Sequence, residues 1–288
     1  MSVASIAVEL MLGGQKIEIK KGGALRLNRG GLTGAESPDY DVSTEEFSAM
    51  DGGQITAEHV PSRVIGLSFT VDKLADTEEL RRRLIAFFGC RKTGELRITR
   101  SGVTRRIACR CGSAPVFTQP NIRTDRLSVS VSLLCTYPYF EDETETEIEF
   151  NAVDELMMFP LTFFPDAGTT TGMVAASNRM TINNRGDIPV GAVFTITASG
   201  GSVTNPTLEL DSESIKILTT LEEGDELVVD TRSGSKRVEL NGVSRFIFER
   251  GSVFFEIPTG AHALSIGADS GEEYLRVVCR VRMAYNGV

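Results

Sequence analysis

The sequence predicts a mainly β protein of two domains: an N-terminal β-sandwich-like domain holding one α-helix, then a C-terminal jelly-roll β-sandwich. Three observations predict it. Short alternating apolar runs recur along the 288 residues, separated by Gly, Asn, Asp and Ser turn signals. Only one stretch, 77–88, carries a helical stripe. Charge also changes abruptly: residues 1–140 hold 19 basic and 15 acidic side chains, and residues 141–288 hold 11 and 24. Such a step marks two domains facing different surroundings.

In the N-terminal domain, 1–140, Ile17-Glu18-Ile19 and Leu25-Arg26-Leu27 give short strand-like runs. The pattern then dissolves into Gly, Ser, Asp and Glu across 28–54, a polar excursion long enough to be a candidate arm. Ile65, Leu67, Phe69 and Val71 alternate as a half-buried strand. Asp76 and Glu79 have capping-box spacing, and Leu80, Leu84, Phe87 and Phe88 make one stripe, so 77–88 is a helix packed on its own domain. Gly89 follows, where a left-handed residue suits a helix end. Strands are expected over 95–100, 104–111 and 127–133, the last with Leu127, Val129, Val131 and Leu133 alternating against serines. Tyr137-Pro138-Tyr139-Phe140 ends the run, because proline cannot continue a central strand. The boundary is set there.

The C-terminal domain, 141–288, shows no helical stripe and about ten short apolar runs, among them 180–182, 193–196, 227–229, 246–248, 253–257 and 263–266. Asn241-Gly242 fits a type I′ hairpin turn. The Gly/Thr-rich segment between Phe163 and Asn178 reads as a loop. The last strand, 274–283, is a candidate to return to the N-terminal domain.

Chemistry is sparse. His59 and His262 are the two histidines, and neither lies near a nucleophile-elbow pattern. Five cysteines, with no secretory signal in the reading, fit free thiols; Cys109 and Cys111 share a strand face, which lacks the turn and the second ligand pair of a zinc knuckle. Glu143, Glu145, Glu147 and Glu149 alternate as a solvated strand face. Arg185-Gly186-Asp187 reads as a turn. Asp225, Glu226 and Asp230 miss the spacing of a calcium loop. No phosphate-binding loop, dinucleotide fingerprint or membrane-length apolar run occurs. The expectation is a protein that is not an enzyme, with no catalytic residue, no cofactor, no metal and no membrane span.

The order of Arg63-Val64-Ile65-Gly66-Leu67-Ser68-Phe69, the helix ending Phe87-Phe88, Lys92-Thr93-Gly94-Glu95-Leu96 and Tyr137-Pro138-Tyr139-Phe140 resembles the distal tail (Dit) proteins, the siphovirus-type tail components of long-tailed phages and prophages. Asn184-Arg185-Gly186-Asp187-Ile188-Pro189, the run 221–231, Asn241-Gly242 and the run 251–260 continue the series. His262 departs from it, since an asparagine is expected there. The resemblance implies a galectin-like C-terminal sandwich and a homo-hexameric ring of N-terminal domains at the tail tip. That ring would join the tail tube to baseplate and receptor-binding proteins. It implies assembly in the host cytoplasm and DNA passing through the lumen without specific binding. The basic residues from Arg97 to Arg126 are compatible with that, as candidates for pairs between subunits. Fold alone implies no sugar binding. The rival reading is a carbohydrate-binding module or adhesin for a cell-surface glycan, against which the absence of tryptophan counts.

Overall fold

The computed structural model describes residues 6–48, 51–72, 77–118, 126–151 and 178–288. The Asp76 cap and the segment between Phe163 and Asn178 lie outside these described residues. The chain divides into two compact units, Met1–Glu143 with Ala284–Val288, and Thr144–Met283. The second is therefore an insertion in the first.

The first unit contains β1 (Ile6–Leu12), β2 (Gln15–Ile19), β3 (Leu25–Thr33), β4 (Asp41–Glu46), β5 (Gly53–His59), β6 (Arg63–Asp72), α1 (Thr77–Phe87), β7 (Thr93–Arg100), β8 (Val103–Cys111), β9 (Val116–Thr118), β10 (Arg126–Cys135) and β11 (Phe140–Asp142). Its main sheet runs β11-β8-β7-β1-β2-β3-β6-β10-β9, and β8 also pairs β10. That extra pairing closes seven strands into a barrel whose walls share one core. The register explains the core. Leu127, Val129, Val131 and Leu133 of β10 sit opposite Val71, Phe69, Leu67 and Ile65 of β6, and all eight are buried. Each contributes about 1.5–3 kcal/mol by leaving water, before the entropy cost of ordering it. One apolar face per strand meeting another in register is what a sheet with a single wet side requires.

Helix α1 buries Leu84 and Phe87 against this core, and Phe88 just after it is buried too, its ring 6.3 Å from that of Phe69. Gly89 does not take the left-handed conformation expected of it. The positive φ falls at Arg91 (67°), and the ammonium of Lys92 donates to the Ala86 carbonyl at 2.6 Å, satisfying a terminal acceptor in another way.

The second unit contains β12 (Thr146–Asn151), β13 (Arg179–Asn184), β14 (Ala192–Ala198), β15 (Val203–Thr204), β16 (Thr207–Leu210), β17 (Glu213–Lys216), β18 (Thr220–Leu221), β19 (Glu226–Asp230), β20 (Arg237–Leu240), β21 (Val243–Ser244), β22 (Gly260–Gly267) and β23 (Leu275–Val281). They form a six-stranded sheet, β12-β23-β14-β19-β20-β21, a four-stranded sheet, β13-β22-β16-β17, and the pair β15–β18. Asn241 and Gly242 both have positive φ (52° and 74°), as a type I′ turn between β20 and β21 demands. The strands expected at 246–248 and 253–257 are absent as ladders. That stretch makes isolated bridges, Ile217 to Phe248 and Val190 to Ile257, on either side of a turn at Gly251 (φ 101°).

The last strand also differs from expectation. Residues 275–281 stay in the second unit, where β23 is paired on both edges, by β12 and β14. The return to the first unit is made by β24 (Ala284–Tyr285), which pairs β11.

Candidate assembly surface

The 28–54 excursion resolves into two different things. Residues 28–33 continue β3 in the barrel, with Asn28 held by Ser68, Ser128 and Thr70 at 2.5–3.1 Å, and a register shift between Leu27 and Leu32 where Gly30 (φ 67°) and Gly31 enter. Asn and two glycines hid this strand from any hydrophobic pattern. The strands β4 and β5 instead make a two-stranded sheet of their own. Every residue of both strands is exposed. A lone hairpin is marginal in water, and this one still shows Val42 and Ile55 to solvent.

The ribbon's charge is one-sided. Residues 39–59 carry six carboxylates and no lysine or arginine, whereas 1–38 and 60–140 together carry 19 basic and 9 acidic residues. Among the described residues of the ribbon, His59 lies 3.7 Å from Asp41. The outward side of α1 is the opposite case: Arg81, Arg82 and Arg83 are exposed beside Ile85, and Arg81 also lies over the Phe117 ring.

The basic residues around 97–106 belong to a different arrangement. Arg97 reaches Glu9 and Glu143 at 3.6 and 3.5 Å and is bonded to Glu95, while Arg106 joins Glu95 and Glu141, both at 3.1 Å. These arginines are engaged within the chain. Such pairs link neighbouring strands and contribute little net stability where they are exposed.

Three further arginines hold the returning tail. Arg63 donates to the Asn286 carbonyl at 2.6 Å, Arg100 to that of Val288 at 3.0 Å, and Arg105 to that of Gly287, with its guanidinium 3.5 Å over the Tyr285 ring. Gly287 lies so close to Glu36 that an added Cβ would stand 1.5 Å from its carbonyl oxygen. Arg63 is buried, with Nε and Nη1 unpaired, and that burial pushes its pKa down.

The titratable side chains singled out by the sequence do not converge on one site among the described residues. Among the described residues no group of three or more His, Cys, Asp and Glu side chains is placed to hold a metal. His262 stands at the start of β22, its Nδ1 2.6 Å from Asp211 and its Nε2 3.2 Å from the Thr259 carbonyl. The bond to Asp211, then the carbonyl, raise the His262 pKa. Asp225 accepts from the Glu222 amide and the Asn241 side chain, which makes it a turn residue. Gly186 donates to the Asn184 side chain, as a turn at 185–187 implies. Glu147 and Glu145 pair with Arg280 and Arg282 of the neighbouring strand segment rather than standing free.

Two features escaped the sequence reading. Asp230 is fully buried; burial raises its pKa, but its bonds to Arg232 and the charge of Arg237 outweigh that and hold it low. In the second unit Phe246 is 92% exposed and contacts Phe248, which contacts Phe254 edge-on at 5.5 Å. An apolar run looks the same in sequence whether it is core or surface, so the exposure of Phe246 had no signal, and the burial of Asp230 depends on its pairing with Val193 and Arg237 of neighbouring strands.

Residues 185–282 match the family described as siphovirus-type tail component, C-terminal domain. Among solved structures, the SPP1 Dit protein, described as a paradigm of the hub adsorption apparatus of phages infecting Gram-positive bacteria, matches at a TM-score of 0.65 with 13% identity, covering 98% of this chain and all of that one. A chain of the phage P2 baseplate in its activated conformation with Ca matches at 0.48 with 10% identity, covering 96% and 98%. No curated protein matches the chain by sequence. The fold thus resembles that of SPP1 Dit over 98% of this chain.

Proposed function

We propose that this chain, whose second unit carries the siphovirus-type tail component domain, is a distal tail protein: a structural hub at the tip of a long phage tail. The observation that carries the reading is the end-to-end likeness to SPP1 Dit, which spans both units and not only the matched domain. In this reading the first unit forms a homo-hexameric ring that continues the tail tube and receives host-adsorption proteins. The protein is assembled in the bacterial cytoplasm and resides in the virion. DNA passes through the lumen without being held; a net charge of −9 supports that, since cationic side chains drive nonspecific phosphate binding. The galectin-like sandwich serves as a docking module, and the chain carries out no catalysis.

Light scattering on the purified protein, with electron microscopy of the same sample, tests this. Six-fold rings are expected. A two-fold dimer, or a monomer persisting at high concentration with tail-tube protein present, would sink the reading. The exposed Phe246 cluster is the one feature that favours the glycan-binding alternative, and a glycan array with and without Phe246→Ala decides it.

A further inference from the structure

We propose that the acidic β4–β5 ribbon of one copy docks on the outward face of helix α1 of the next copy, and that this is the contact that propagates the ring. The inference rests on the ring reading and assigns its interface. On the unbulged strand β4, Val42, Thr44 and Glu46 point to one side, and their cross-strand partners include Glu58 opposite Val42 and Ile55 opposite Thr44. One ribbon face therefore has an apolar centre, Val42 and Ile55, with Glu46 and Glu58 at its ends. Helix α1 presents the complement. Ile85 is 49% exposed, one turn after Arg81 and beside Arg82, so its apolar centre has a basic rim.

Three physical points favour a second copy as the occupant. Every residue of the ribbon's two strands is exposed, and a two-stranded sheet with exposed valine and isoleucine gains most from a surface that covers it. Its six carboxylates stand against a remainder of the N-terminal half with ten more basic than acidic residues, so the complementary surface is already present in every copy. Ribbon and helix are different patches, and a contact between different patches is heterologous, the type that closes into rings when its rotation permits.

The test uses the full chain at low salt, where exposed pairs are least screened. Glu46→Lys with Glu58→Lys, and separately Arg82→Glu, are each expected to raise the concentration needed for assembly at least tenfold. Combining them is expected to recover most of the loss. Circular dichroism melts unchanged from the parent show that the variants fold. As a second measurement, Ile55→Cys copies mixed with Ile85→Cys copies, both carrying Cys90→Ser, are expected to give a disulfide-linked pair under mild oxidation that neither gives alone. Rings that persist unweakened in the reversed variants, or that form without the cross-link, overturn the interface and leave the ring reading standing. Absence of any ring from the parent protein overturns both.

Discussion

Gly94 sits opposite Leu12 in the β1–β7 ladder, where an added Cβ would lie 1.8 Å from the Met11 carbonyl oxygen. Gly94→Ala is expected to destabilise the first unit by about 1–3 kcal/mol, the usual cost of overpacking, read as a lowered denaturant midpoint with unchanged slope. Asp230 is the most committed polar residue of the second unit. Its folded pKa is depressed, so its contribution is present above the ordinary carboxylate range and is lost as pH falls through the folded value. Asp230→Ala is expected to cost about 1–3 kcal/mol at neutral pH, since it leaves Arg232 and Arg237 without their shared acceptor, and the loss should shrink in acid melts. Thiol reactivity provides a third check. Burial pushes Cys109 and Cys279 up to about 12 and Cys135 to about 11, while Cys90 is exposed. Native protein treated with an aromatic disulfide reagent should therefore release one fast equivalent, and Cys90→Ser should abolish it.

At the scale of elements, the ribbon and the barrel are separable. Replacing 41–59 by a short Gly-Ser turn should leave melting of the first unit nearly unchanged, because those strands bury no side chain in its core. Removing 28–54 as a block should instead abolish folding, since it takes away the half of β3 that carries Asn28 and Leu32 onto β6. Comparing the two deletions by thermal melts distinguishes an arm from a wall strand. The single helix behaves as its stripe implies, and its end shows how a lysine substitutes for a left-handed glycine.

For the molecule as a whole, the second unit is inserted where β11 meets β24, with Glu141 opposite Ala284. Excising 144–283 and joining Glu143 to Ala284 through an Asn-Gly turn converts that pair into a hairpin. The shortened protein is expected to unfold in one cooperative transition, measured by calorimetry. Loss of all cooperative folding would mean that the first unit depends on the second for more than chain connection. A heterologous ring contact made mainly by rim charges also places most of its salt dependence in association rate.

Alternating residues are enough to show one wet and one dry face, so β6, β10 and most strands of the second unit were determined by the sequence alone, as were the helix, the Asn241-Gly242 turn and the two-part charge division. The family resemblance was legible too, in the order of short motifs. Only the tertiary structure decided which strands are neighbours: the β8–β10 closure, the return through 284–288, and the burial of Asp230 all depend on residues far apart in the chain. It also decided that β4 and β5 stay exposed while the polar start of the same excursion is barrel wall. Local pattern reports which face of a strand is apolar, and long-range pairing determines what, if anything, covers it.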